Sequence, residues 1–278
     1  MDILTLGFSP CPNDTFIFGA LMNDYVKDKT LGFQYLLEDV EYLNRAAMAG
    51  DLDVVKVSYF AYTKLSEQYQ LLTAGGALGN NCGPLLVSSQ PGKIPDENSS
   101  IAIPGVNTTA NLLLSLAYPN CKRKQEVHFA EIEKGVLEGS FDFGLIIHES
   151  RFTYQEKGLI KVTDLGEFWE EKTSTPIPLG AIAIKRSLPE HVKQRVNALV
   201  EASLNYAYEH PSRIMDIVRQ HAQEMDEHVM KSHIDLYVTE FSKSVGTRGK
   251  MAAARLFHEI EDKLSIKQPT WPIYIDDI

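Results

Sequence analysis

The chain has 278 residues, 44% of them hydrophobic and 23% charged, enough for one large or two medium globular domains. A formal charge of −10 argues against general nucleic-acid binding, which needs a dense Lys/Arg surface to displace counterions, but leaves room for a local basic pocket. No stretch approaches the ~18 apolar residues of a membrane span. Cys11, Cys82 and Cys121 form no CxxC pair, so free thiols in a reducing cytoplasm are expected.

Taken in order, MDILTLGFSPCPND lacks a basic leader, and its apolar run stops at Pro10, so Ile3–Phe8 is expected as a first strand rather than a signal peptide. A tight SPCPND turn leads to a helix over Thr15–Val26, with Asn13 or Asp14 as its cap. Phe33–Leu37 is a strand candidate, and Asp39 caps a short helix ending near Gly50. Val54–Ser58 is a third strand, followed by a helix from about Phe60 to Glu67. This strand–helix rhythm predicts βαβ units on a mostly parallel sheet.

A Gly-rich section, GGALGNNCGP, precedes the strand Leu85–Ser88, and the polar Gln90–Ser100 reads as a linker or long turn. A second α/β unit follows. It has a strand at Ile101–Ile103, a helix over Thr108–Ala117 capped by Asn107, a strand at Val127–Ala130, and a helix over Glu131–Glu138 ended by Gly139. Phe143–Ile147 is a strongly apolar strand with His148 at its end, and Leu179–Ile184 is one more. Beyond Lys185 the pattern turns helical. Pro189 starts a long helix with Val192, Val196, Leu199, Val200 and Leu204 as its apolar stripe, and further helices are expected over Ser212–Gln223, Glu227–Ser242 and Lys250–Lys263.

The order predicts a larger discontinuous α/β lobe, residues 1–90 plus 186–278, and a smaller inserted α/β lobe, residues 91–185. Ligand sites in open α/β sheets lie outside the C-terminal strand ends. The turns at Ser9–Asp14, Lys56–Ser58, Gly105–Thr109 and His148–Arg151 should therefore line a cleft between the lobes.

GxSxG, HExxH, Walker A and GxGxxG motifs are absent, and GGALG has the wrong spacing for a dinucleotide turn. His228 and His233 are five apart, not the i, i+4 spacing of a helical metal pair, and read as surface or packing residues. The Asn107-Thr108-Thr109 helix start presents amides and hydroxyls that attract a carboxylate or phosphate, although taken alone the motif reads first as plain capping. His148 has the chemistry of a base, with an unperturbed pKa near 6.5, or that of a structural imidazole. Glu149 should point to the opposite face if the strand continues, and so would not orient His148. Asp14 is either an N-cap or an acceptor for ligand hydroxyls. Lys56 and Ser58 alternate along a strand end toward one side. Cys11, between two prolines, is taken as structural.

The run Gly7-Phe8-Ser9-Pro10-Cys11-Pro12-Asn13-Asp14-Thr15-Phe16 resembles the opening signature of 1,4-dihydroxy-6-naphthoate synthases. Lys56-Val57-Ser58-Tyr59, Gly105 to Thr109, Gly144 to Tyr154 (containing HESRFTY) and Pro178 to Ile182 are similar in order and spacing, so the resemblance runs to about Phe257. It implies an α/β, two-lobed fold like type II periplasmic binding proteins with a central cleft. It also implies a cytoplasmic lyase that converts cyclic dehypoxanthine futalosine to 1,4-dihydroxy-6-naphthoate in menaquinone biosynthesis, without metal or organic cofactor. His148 would be the proton acceptor, and Lys56, Val57, Ser58, Thr108 and Thr109 substrate-binding positions, with Asn107 and Asp14 beside them. The partner is then a small molecule, not a nucleic acid or a membrane. Two alternatives share the fold: a non-catalytic solute-binding protein and a chorismate dehydratase of the same pathway. The absence of an export signal disfavours the first and HESRFTY the second.

Overall fold

The computed structural model of the chain describes residues 2–222 and 226–277. Its first stretch runs β1 (Asp2–Phe8), α1 (Pro12–Met22), β2 (Leu31–Leu37), α2 (Val40–Ala49), β3 (Val54–Ser58), α3 (Tyr59–Leu65), β4 (Tyr69–Leu71) and β5 (Ala77–Gly79). Then come β6 (Leu85–Ser88), β7 (Ile101–Ile103), α4 (Thr109–Ala117), β8 (Lys124–Glu126), α5 (Phe129–Leu137), β9 (Phe143–Ile146), α6 (Ser150–Thr153), β10 (Ile160–Asp164) and α7 (Leu165–Thr173). The chain returns through β11 (Ile177–Lys185) to α8 (Glu190–Glu209), α9 (Pro211–His221), α10 (Glu227–Tyr237), α11 (Glu240–Lys243) and α12 (Gly246–Leu264).

Two sheets result, one in each lobe. The first has the order β2-β1-β3-β11-β4, with β5 also on β11, and the second has the order β10-β6-β9-β7-β8. The expected mostly parallel sheet is found only in part. β1 pairs in parallel with β2 and β3, and β7 with β8 and β9, but β11 runs antiparallel to β3, β4 and β5, and β6 antiparallel to β9 and β10. By sheet membership β6, which precedes residue 91, lies with the second lobe, and β11, which precedes residue 186, lies with the first. β11 is the return strand from the inserted lobe.

Strands covered on both faces read as unbroken apolar runs, and β3, β6, β7 and β9 are buried throughout. α1 is buried from Pro12 through Leu21, enclosed between the first sheet and α8, α9 and α10. Each Leu or Ile fully buried there contributes roughly 1.5–3 kcal/mol relative to exposure.

Helix ends follow cap chemistry, sometimes against expectation. Asp39 caps α2 through the amides of Glu41 and Tyr42, and Gly50 ends it with φ 78°, as expected. α1 starts earlier than expected, with Cys11 as its N-cap and Pro12 in its first turn, where a missing N–H costs nothing. Thr108, not Asn107, caps α4, because its hydroxyl accepts from the Asn111 amide. The strand expected over Val127–Ala130 is the earlier β8, since His128 accepts from the Ala130 amide and opens α5. α10 stops at Tyr237, and a capping box between Thr239 and Ser242 starts α11 anew. α9 ends at His221, and Gln223 lies outside the described residues. β4, β5, β10, α6 and α7 were not anticipated, and β5 lies inside the Gly-rich section.

Candidate functional site

The first wall of the site comes from the SPCPND turn and the middle of β3. Two prolines fix the backbone after β1, and the turn closes on the Asp14 carboxylate. Asp14 accepts from the Ser9 amide at 3.2 Å, the Ser9 hydroxyl at 2.8 Å and the Asn13 carboxamide at 2.9 Å. Its fourth partner is the Lys56 ammonium at 2.7 Å, which also donates to the Gly75 carbonyl at 3.1 Å. Both charged side chains are almost fully buried. Asp14 is thus engaged by four donors of the chain itself, one of them the Lys56 ammonium. Two residues on, the Ser58 amide donates to the Asn44 side chain at 2.9 Å, and Asn44 returns a bond to the Ser58 hydroxyl at 3.2 Å.

The second wall is the start of α4. The Thr108 hydroxyl donates to the Gly105 carbonyl at 2.8 Å. The Thr109 hydroxyl donates to the Leu179 carbonyl at 2.9 Å and accepts from the Phe60 amide at 3.3 Å. Both hydroxyls therefore have partners, and the anion-attracting part of this helix start is its leading amides at Thr109 and Ala110, which have no intrahelical acceptor. Asn107 turns to a different task. Its amide and carboxamide donate to Glu41 at 3.1 and 2.6 Å, and its side-chain oxygen accepts from Lys64 at 2.7 Å. Arg45 joins Glu41 to Glu126, with contacts of 2.7 and 2.8 Å to the latter, so this network clasps α2 of one lobe to the edge of the other.

The third wall carries His148. β9 ends at Ile146, and His148 sits beyond it with φ 58°, in the left-handed region that a non-glycine residue adopts only where the surroundings hold it. Strand alternation therefore fails here. Glu149 does not point away as expected: donor atoms of Cys11, His148 and Glu149 lie within 4.8 Å of one another. Arg151 anchors the turn from behind, bonding the carbonyls of Gly83 and Asn81 and the Asp164 carboxylate at 2.5, 2.9 and 2.6 Å.

The His148 ring meets Phe129 edge-on at 5.3 Å and His233 at 6.0 Å. Desolvation lowers its pKa to about 4, reinforced by the Lys56 ammonium and opposed by Asp14 and Asp39. The imidazole is therefore neutral at pH 7, with a lone pair free to take a proton. Burial, with the Glu149 charge next, raises the Cys11 thiol well above its usual range, so it stays protonated and is no nucleophile.

These walls enclose one cavity of ≈ 710 Å³, its open mouth included. Of the site residues expected from sequence, Asp14, Lys56, Val57, Ser58, Thr108, Thr109 and His148 line it, and Asn107 lies outside that lining. Ser9 lines it too, as expected of the Ser9–Asp14 turn, and so do Cys82 and Tyr237, which the sequence does not point to. Asn44 and Glu41 escaped notice because each sits on an ordinary amphipathic helix, where Glu41 reads as a helix-dipole partner in the first turn. The spacing of His233 from His228 points only to packing or the surface. His233 is completely buried beside His148, while His228 is exposed.

A cavity between two α/β lobes, with one buried cation, one helix start and one neutral imidazole, suits a small anionic molecule and the removal of a proton from it. Proteins of periplasmic-binding-protein-like fold share this framework. Over 99% of this chain and 97% of theirs, the ligand-binding component of a Staphylococcus aureus ABC-type import system superposes with TM-score 0.73 at 12% identity. The alkanesulfonate-binding protein of Xanthomonas axonopodis gives TM-score 0.73 at 10% identity over 98% of this chain and 97% of its own.

Sequence relationships are more specific. A family model described as menaquinone biosynthesis matches residues 4–262. A 1,4-dihydroxy-6-naphthoate synthase of Thermus thermophilus is 44% identical over 275 residues, covering 99% of this chain and all of its own. One from Streptomyces coelicolor is 41% identical over 256 residues, 90% of each chain. A crystallographically solved protein of Archaeoglobus fulgidus superposes with TM-score 0.90 at 32% identity, over 95% of this chain and 98% of that one. The chain belongs to the 1,4-dihydroxy-6-naphthoate synthase family of menaquinone biosynthesis enzymes. Among the described residues no helix is long and apolar enough to cross a membrane.

Proposed function

We propose that the chain is a cytoplasmic lyase that cleaves cyclic dehypoxanthine futalosine to 1,4-dihydroxy-6-naphthoate and a sugar-derived fragment, with His148 as general base. One observation carries this reading: a neutral imidazole shares a single cavity with a helix start suited to a carboxylate. The substrate carboxylate binds at the leading amides of α4, and Lys56 and Ser58 contact its polar groups. His148 takes a proton from the sugar-derived portion. The electron pair left behind is released by breaking a carbon–carbon bond, and the naphthol ring becomes aromatic. Closure of the lobes keeps water from the reacting atoms.

A base of this kind contributes about 10²–10⁴-fold. Purified protein mixed with the cyclic substrate should yield the naphthoate. His148→Asn should lose turnover by a factor in that range while still binding substrate, and near-normal turnover of the variant would remove His148 from the mechanism.

A further inference from the structure

His233, on α10, is wholly buried, and neither ring nitrogen has a hydrogen-bond partner. Its neighbours are rings: Tyr237 at 4.6 Å, His148 at 6.0 Å and Phe152 at 6.3 Å. α10 packs on α1 and β5 of the first lobe, whereas His148 and α6 belong to the second, so the His148–His233 contact spans the two lobes. A buried polar ring with both nitrogens unpaired destabilises the fold, and a leucine would fill the same space at lower cost. Burial, and next the nearness of His148, lower its pKa well below the usual histidine range, so it too is neutral and keeps one lone pair.

Burial disfavours the charged form of His148, with the Asp14 and Asp39 carboxylates opposing it. An imidazole whose surroundings disfavour its charged form is a weak proton acceptor until something accepts a bond from the imidazolium. The charged and titratable groups facing His148 are Asp14 on α1, Lys56 on β3, Asp39 before α2, Cys11 and Glu149 in the flanking turns, and His233 on α10. Those facing His233 are His148, Lys56 and Tyr237.

We propose that His233 is the positioning residue of the base: when His148 takes the substrate proton, its ring N–H donates to the unpaired nitrogen of His233. This rests on His148 being the general base. Two imidazoles joined by one N–H···N bond of about 2.9 Å have centroids about 5 Å apart. The observed separation is 6.0 Å with the planes tilted by 38°, so the proposed bond requires a side-chain rotation that brings the rings about 1 Å closer. No covalent bond changes, and the proton returns with His148 at the end of the cycle.

The test uses the full chain carrying His233→Leu or His233→Gln, with His148→Asn run alongside. His233→Leu should leave the melting temperature equal or higher and KM within about twofold, while kcat falls 10- to 100-fold. The acid limb of kcat should move to lower pH, because the imidazolium has lost its acceptor. His233→Gln, which offers an acceptor oxygen, should recover part of the loss. The proposal is overturned if the leucine variant keeps normal kcat, or if both variants lose kcat equally together with thermal stability. Should His148→Asn stay active, the base assignment itself falls. If His148→Asn is dead and His233→Leu is normal, only the role of His233 falls.

Discussion

Asp14→Asn removes the negative half of an ion pair held almost out of water, with its Lys56 Nζ–Asp14 Oδ1 contact at 2.7 Å. Stranding one partner of such a pair costs about 3–5 kcal/mol, because the remaining charge keeps its desolvation cost without its counter-ion. The structure predicts an asymmetry between the two halves. Without Asp14, Lys56 retains one acceptor, the Gly75 carbonyl. Without Lys56, Asp14 retains three donors, from Ser9 and Asn13. Asp14→Asn should therefore fall in that upper range and Lys56→Met nearer 1–3 kcal/mol, as for a lost hydrogen bond to a charged group. At about 2–4 °C per kcal/mol the first corresponds to a drop of roughly 10 °C in melting temperature. The double variant strands no charge and should be more stable than Asp14→Asn alone, by about 2 kcal/mol. Urea midpoints of the wild type, both single variants and the double variant decide it. Lys56→Met costing as much as Asp14→Asn, or strictly additive effects, would refute the argument.

Gly105→Ala should destabilise by about 1–3 kcal/mol and raise KM, since a Cβ there would lie 2.4 Å from the Glu41 carboxylate that holds Asn107; an unchanged urea midpoint would count against the clasp. Glu41→Ala should weaken substrate binding more than Arg45→Ala does, because Glu41 is buried against Asn107 while Arg45 is mostly exposed; comparison of the two KM values tests the ranking. The pKa of about 4 for His148 should keep kcat/KM level through pH 6.5 and let it fall only as pH approaches about 4, so an acid limb centred near 6.5 would contradict it. The same group has a folded value below its unfolded one. Its contribution to stability is therefore complete above about pH 6.5 and is lost as pH falls toward about 4, a slope that His148→Asn should diminish.

Several strand cores and the caps of α2 were legible in the sequence because their causes are local. Val54–Ser58, Leu85–Ser88 and Ile101–Ile103 match their strands residue for residue, and Asp39 and Gly50 bound α2 as capping chemistry demands. Some failures were local, such as Thr108 rather than Asn107 capping α4 and His128 opening α5 where a strand is expected, but the larger ones depended on distance. β4 and β5 are three residues long and exist because β11 comes back to pair with them, a partner that neither segment reveals. The antiparallel course of β11 follows from the chain's return out of the inserted lobe, not from any feature of Ile177–Lys185 itself. Gly83 and Gly166 pack backbone to backbone so closely that a Cβ on Gly83 would sit 2.1 Å from the Gly166 amide, and nothing near either residue announces the other.

The site obeys the same division. Each of its parts has an innocuous local explanation: Asp14 as a helix cap, Lys56 as a strand charge, Thr108 as a cap, His148 as a strand-end imidazole. Only their convergence is informative, and that is supplied by two lobes joined through Glu41–Asn107, Phe60–Thr109 and Thr109–Leu179 bonds. Lys56 carries the point furthest. A lysine inside a strand buried on both faces is costly unless a carboxylate meets it, and that carboxylate arrives from the first turn of α1, 42 residues away. The first lobe thus contributes a cation fixed in place, and the second contributes a helix start and an imidazole held in a strained conformation. Because the two contributions come from different sheets, a ligand contacting both must bridge the lobes. The groups that set the protonation state of His148 come from both lobes as well, since Lys56 and Asp14 of the first lobe act on an imidazole carried by the second.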